Sequence, residues 1–510
     1  MSDFPFLSVL TVAPLVGAVV VAFLPRSRPQ LAKVVALGWS LAVLALSVVM
    51  WVAFEVRGDR LQFRESYPWI PDWGVRLTFA ADGIALVMLM LIAVLVPLVI
   101  LASWHEAESS KRSVPVYFAL LLVLESTMIG VFAAADVFLF YVFFEVMLVP
   151  MYFLIGSYGG HQRQYAAVKF FLYSLVGGLF MLAAVIGLWV VGGKTFDWVA
   201  LTNADIPTET ARWLFLGFFV AFAIKAPFFP FHTWLPDAGG AAPAGAAALL
   251  VGVLDKVGTF GILRYCLPLF PEASRWFAPW ALALAVIGII YAALLAVGQN
   301  DLKRLVSYTS IAHFGFIGIG IFAFTTQGGT GAVLYMLNHG LATGLLFLVV
   351  GMFVARRRSA LVSDFGGAGK LVPLLAGVLL FAALASLALP GTAPFVSEFL
   401  VLIGTFTVNK PVAVIATVGM ILAAAYALWM VQRATQGKLN PALPAMESMR
   451  RDLTARERVV VAPLIALLIV LGFYPKPVTD VINPAVQATM QDVGTSDPAP
   501  TVGNVVEAAK

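Results

Sequence analysis

The chain has 510 residues, 61% of them hydrophobic and 12% charged, with a formal net charge of +5. Soluble domains run at roughly 45–50% apolar and about 25% charged, so this composition has too little polar surface to clothe a water-soluble globule. The single cysteine, Cys266, excludes intrachain disulfides and cysteine-ligated iron–sulfur clusters, and no basic run with interleaved aromatics offers a nucleic-acid surface.

A helix crosses the hydrocarbon core with about 20 apolar residues. By that ruler the sequence predicts an all-α polytopic membrane protein with fourteen spans, near 4–24, 31–54, 82–103, 115–135, 136–156, 165–192, 211–235, 243–267, 277–299, 303–324, 329–354, 370–406, 411–432 and 458–475. The first reads as a retained span, because it lacks a basic leader and a small-residue cleavage site. The seventh contains Pro227 and Pro230, and the twelfth carries Leu389-Pro390-Gly391-Thr392-Ala393-Pro394 at its middle. Proline removes a backbone donor and clashes with the preceding turn, so both spans are expected to be broken. Irregular backbone at membrane depth is tolerated where it is enclosed by protein or lines a cavity.

The two breaks lie five spans apart, the pattern of two five-helix repeats that an odd helix count inverts. The expected organisation is three N-terminal spans over 1–110, a first repeat over 111–270, a second over 271–435, and a last span with a polar tail over 436–510. Lysine and arginine concentrate in the loops that are cytoplasmic if both termini lie outside, so both termini are expected outside the membrane.

An ionised side chain at mid-bilayer costs about 2.5–3.5 kcal/mol on insertion scales, yet seven of the spans each carry an ionisable group in their interior that stands out. These groups are Glu125, Glu145, Lys225, Lys256, His313, His339 and Glu398. At about 1.5 Å per residue, all of them sit near the midplane and form one layer. A single buried Glu or His often does no more than join two helices. Two mid-span lysines and several mid-span glutamates on separate helices are better explained as a proton relay. Lys169, near a span end, suits either snorkelling to the interface or feeding protons inward.

Other signals read as ordinary. Arg356-Arg357-Arg358 looks like an orientation anchor, and Asp301, Lys303, Arg304, Asp364 and the 447–458 cluster look like solvated loop or interface residues. Gly315, Gly318 and Gly320 mimic a nucleotide loop but lie inside an apolar span with no strand before them. Gly177, Gly178 and Gly187 read as close-packing positions, and Trp69, Trp73, Trp234 and Trp276 as interface anchors. No zinc, haem or nucleophile constellation is present.

The segment Ala223-Ile224-Lys225-Ala226-Pro227-Phe228-Phe229-Pro230-Phe231-His232-Thr233-Trp234-Leu235-Pro236-Asp237-Ala238 resembles the seventh-span signature of the antiporter-like subunits of respiratory complex I. The likeness extends to Phe143-Phe144-Glu145, Tyr308 to Gly315 around His313, Leu337-Asn338-His339-Gly340, Leu389-Pro390-Gly391 with Ser397-Glu398-Phe399, and Asp452-Leu453 with Arg456-Glu457. It is closest to the M-type members, which carry an acid where this chain has Glu398. One departure follows Asp237, where the family's usual histidine and glutamate give way to Gly239-Gly240-Ala241-Ala242. The resemblance implies a proton-translocating subunit without cofactor or metal. Glu145 would pair with Lys225, and protons would pass through Lys256, His313 and His339 to Glu398, flanked by L-type and N-type neighbours. Subunits of multisubunit Na⁺/H⁺ antiporters and membrane-bound hydrogenases share the signature and stand as the alternative.

Overall fold

The computed structural model describes residues 4–109 and 112–498. Helices occupy all fourteen expected positions. Ten of these, among the described residues, are single helices long and apolar enough to cross a bilayer. Span 1 (Phe6–Ala22) has 17 residues, spans 7 and 12 are interrupted, and span 14 (Ala455–Phe473) is bent by 69° from a further helix, Lys476–Val493.

Side chains define several of the ends. Asp82, Asp136, Asp301 and Thr325 each accept a backbone N–H three residues on, opening spans 3 (Gly83–Ala102), 5 (from Val137), 10 (Leu302–Phe322) and 11 (Thr326–Arg357). Thr454 and Glu457 form a reciprocal capping box at span 14. Asp452 caps from a distance, accepting Leu374 N at 2.8 Å and Leu375 N at 2.9 Å at the start of span 12. Asp301, expected to be merely solvated, is thus a cap.

Spans 3, 4 (Val114–Ala133), 8 (Ala244–Leu269), 10 and 11 are buried almost all round and make the centre. Spans 2 (Pro29–Ala53), 6 (Arg163–Val191) and 13 (Lys410–Thr435) turn most of their surface outward, where apolar side chains meet lipid or neighbours. Helix contact in lipid depends on close fit rather than on a hydrophobic drive. Span 8 meets span 11 in this way, since a Cβ on Gly340 would lie 2.7 Å from Gly252 O.

Both predicted breaks are present. Span 7 runs from Thr208 to Lys225, loses helical form over 226–234, and resumes as Leu235–Ala241. The Ile224 carbonyl accepts Trp234 Nε1–H at 2.9 Å. Trp234 is therefore wholly buried as a strut inside the break, not an interface anchor. Span 12 comprises Pro373–Ser386 and Ala393–Val408. Asn338 of span 11 donates to Ala393 O at 2.8 Å and holds the second half in place.

Two elements were not anticipated. The loop after span 2 contains an antiparallel hairpin, β1 (Gln62–Ile70) and β2 (Val75–Ala81), whose turn places Gly74 at φ +69°. The tail after span 14, expected to be simply polar, begins with the amphipathic helix Lys476–Val493, which buries Val478, Ile482, Val486 and Met490. It is clamped by an Arg60–Asp492 ion pair at 2.6 Å and by Thr330 donating to Asn483 Oδ1 at 2.7 Å.

Candidate functional site

Glu145 lies on span 5, and Lys225 is the last helical residue before the span 7 break. Glu145 Oε1 and Lys225 Nζ are both buried without a hydrogen-bond partner in the structure. The Lys225 ammonium sits 5.2 Å from the Phe144 ring and 5.5 Å from that of Phe170, where ring quadrupoles favour a cation. Room for the carboxylate comes from span 6, because a Cβ on Gly178 would lie 1.6 Å from Glu145 Oε1. Gly178 is thus more than a packing position; it shapes the seat of the acid.

Lys256 occupies the middle of span 8 between two π-helical segments, Leu250–Leu254 and Ile262–Cys266. Such segments widen the turn and recur at functional sites. Lys256 Nζ donates to Val251 O and, at 2.7 Å, to His339 Nδ1 of span 11, and lies 5.0 Å from the Phe314 ring. The His339 ring is 5.2 Å from that of His313, centre to centre.

From His313 onward the chain of contacts is continuous. His313 Nδ1 is 2.6 Å from Tyr335 Oη, and Tyr335 donates to Glu398 Oε2 at 3.0 Å. A phenol has one proton. With that proton directed at Glu398, His313 Nδ1–H is assigned as donor to Tyr335, and its Nε2 faces Tyr426 Oη at 3.3 Å as acceptor. The row Tyr426–His313–Tyr335–Glu398 is polarised in one direction and ends on a carboxylate.

Of the seven predicted site residues, six fall into two groups: Lys256, His339, His313 and Glu398 in a run of hydrogen bonds and ring contacts, and Glu145 and Lys225, which act on each other electrostatically with no hydrogen bond or ion pair between them among the described residues. Glu125 is wholly buried on span 4 but stands apart, joined to none of the six by a hydrogen bond or ion pair among the described residues. Sequence reasoning missed Asp255, an acid beside Lys256 with both carboxylate oxygens buried. Its position next to a mid-span lysine was a legible signal. Tyr335 and Tyr426 gave none, because tyrosine is ordinary in such helices.

The end of the molecule beyond the seventh-span break is also charged. Lys169 donates to Asp237 Oδ2 at 2.7 Å, and Arg304 to Asp237 Oδ1 at 2.5 Å. Lys303 is buried and donates to Ala242 O at 2.6 Å. Beside the Gly239-Gly240 departure, Glu106 accepts Ala244 N at 2.9 Å and Gly245 N at 3.3 Å, placing a carboxylate at the start of span 8. Arg304 and Lys303 are therefore bound, not solvated. The same correction applies to Glu457 of the 447–458 cluster, held in a two-pronged pair with buried Arg356 at 2.7 Å on each arm.

Buried helices carrying a row of ionisable groups beside two broken spans define a polytopic, antiporter-like membrane protein. The chain belongs to the NADH:quinone oxidoreductase/Mrp antiporter transmembrane family, whose model matches residues 134–423, from Glu145 through Glu398. It is 48% identical to NADH-quinone oxidoreductase subunit M of Mycobacterium tuberculosis, over 100% of this chain and 98% of that protein. A chain of the respiratory complex I from Thermus thermophilus with bound NADH superposes with a TM-score of 0.87 at 30% identity, covering 96% of this chain and 100% of that one. A chain of the Mrp complex from Dietzia shares the fold, with a TM-score of 0.81 at 22% identity over 94% of this chain and 52% of that one.

Proposed function

We propose that this chain is a proton-translocating membrane subunit of an NADH:quinone oxidoreductase, conducting protons while electron transfer proceeds in other subunits. The observation that carries the reading is a row of two hydrogen-bonded stretches, Lys256–His339 and His313–Tyr335–Glu398, linked by the 5.2 Å ring contact of the two histidines, inside a 48%-identical relative of an M subunit.

A buried ammonium stays charged only while a carboxylate or water compensates its lost solvation. Glu145 does this for Lys225. Loosening that pair releases a proton from Lys225 toward Lys256, and the hydrogen bond to His339 provides the exit from Lys256. The histidines then relay it through the Tyr335 hydroxyl to Glu398. The broken spans supply hydrated, non-helical backbone at the two ends of the row, in keeping with repeats over 111–270 and 271–435 in opposite orientation, between the N-terminal spans of 1–110 and the last span and tail of 436–510. Both termini face outside the inner membrane in this reading, the charged layer has no cofactor, and L-type and N-type subunits flank the chain.

The test is NADH-driven proton uptake by liposomes that hold the purified complex. Lys225→Ala and Glu145→Ala should each abolish uptake in a complex that still assembles. Full uptake by an assembled Glu145→Ala complex, or Na⁺/H⁺ exchange that needs no NADH, would overturn the assignment.

A further inference from the structure

We propose that Asp255 is a proton-carrying residue that stands between Lys225 and Lys256 and takes the proton from the first lysine to the second; this rests on the function proposed above.

Gly258 and Gly261 both face span 7. A Cβ on Gly258 would lie 2.4 Å from Ala226 N and 2.5 Å from Phe222 O, and one on Gly261 would meet the Phe222 ring at 2.4 Å. Residues three and four apart share a helix face, so Asp255, three before Gly258, points at the span 7 break where Lys225 ends its helix. Lys256, one residue further round, points to span 11 and His339. The π-helical turn ending at Leu254 sets this division, with Asp255 N donating to Leu250 O at 3.1 Å.

The side chain is wholly buried, neither oxygen has a hydrogen-bond partner among the described residues, and the charges of both lysines act on it. A buried carboxylate is retained only with a compensating charge or a proton. With Glu145, Lys225, Asp255 and Lys256 all ionised, two negative and two positive charges balance; without Asp255 the group would hold one uncompensated cation. Direct transfer between two ammonium groups would bring like charges together. Asp255 removes that obstacle. It accepts a proton from the Lys225 ammonium, leaving a neutral amine and a carboxylic acid. Once Lys256 has passed its own proton to His339 Nδ1, Asp255 gives the proton it holds to the neutral Lys256 amine and returns to carboxylate, directly or through one water.

The experiment compares Asp255→Asn, Asp255→Ser and Asp255→Glu with Lys225→Ala in the whole complex reconstituted into liposomes, reading protons taken up per NADH oxidised. Loss of a positioned acid–base group costs about 10²-fold or more, so uptake in the Asn and Ser complexes should fall at least tenfold, while Asp255→Glu restores most of it. Wild-type uptake by the Asn and Ser complexes beside a silent Lys225→Ala would overturn the role of Asp255 alone. Wild-type uptake by Lys225→Ala would instead overturn the proposed function. If neither Asn nor Ser variant assembled while Glu did, Asp255 would be a folding charge, and the relay would be overturned too.

Discussion

Lys256 on span 8 and His339 on span 11 are joined by a 2.7 Å hydrogen bond, the contact that ties the lysine half of the charged layer to the histidine half. A charged lysine has only donors, so His339 accepts at Nδ1 and carries its own proton at Nε2, an atom buried with no partner among the described residues. That proton is the one the ring can pass on toward His313.

Tyr335 puts a single hydroxyl between His313 and Glu398. Tyr335→Phe keeps the ring and removes the relay, so proton uptake per NADH should fall about tenfold or more. The complex should still assemble, because each of the two buried hydrogen bonds lost costs about 1–3 kcal/mol. Unchanged uptake would remove Tyr335 from the path.

Gly178 and Gly177 are neighbours that the sequence does not distinguish. A methyl at Gly178 would lie 1.6 Å from Glu145 Oε1, whereas one at Gly177 meets the movable Cδ1 of Ile224 at 3.1 Å. Gly178→Ala should therefore displace the Glu145 carboxylate and silence uptake, and Gly177→Ala should leave most of it. Equal losses in the two would contradict the seat assigned to Glu145.

Arg356 and Glu457 form a buried pair that fastens span 11 to span 14. Removing one partner of such a pair strands the other and costs about 3–5 kcal/mol. Glu457→Ala should lower the unfolding temperature of the detergent-solubilised complex markedly, whereas Glu447→Ala, an exposed acid paired with exposed Arg451, should shift it little. Similar small shifts in both would show that the pair does not hold the two spans.

Glu108, in the loop after span 3, is bonded to Lys33 and His105, and these contacts hold its carboxyl below the ordinary carboxylate range. A carboxyl depressed in the folded state adds stability above its unfolded value, and that contribution disappears as pH falls through the folded value. Glu108→Gln should thus be less thermostable than wild type at neutral pH, with the gap closing in acid. A gap that is constant with pH would contradict the pairing.

The spans and both breaks were legible because membranes impose a length ruler and proline forbids the helix interior. The charged layer was legible because an ionisable residue amid apolar ones announces its own cost. What escaped depended on partners. Gly178 acquires meaning only when Glu145 is set against it, and Glu457 and Lys303 look like loop charges until their partners are seen. Trp234 sits near a span end in sequence, yet it folds back to satisfy the Ile224 carbonyl freed by the break. The hairpin at 62–81 was passed over because its strands are too short and polar for a membrane ruler.

The most direct test of the path is proton uptake per NADH in liposomes with Lys256→Ala, the lysine hydrogen-bonded to the histidine half of the layer. An assembled complex that still reduces quinone while uptake falls to a small fraction of wild type is the predicted result. A wild-type ratio in that complex would mean that pumped protons do not cross between Lys225 and Glu398 by way of Lys256.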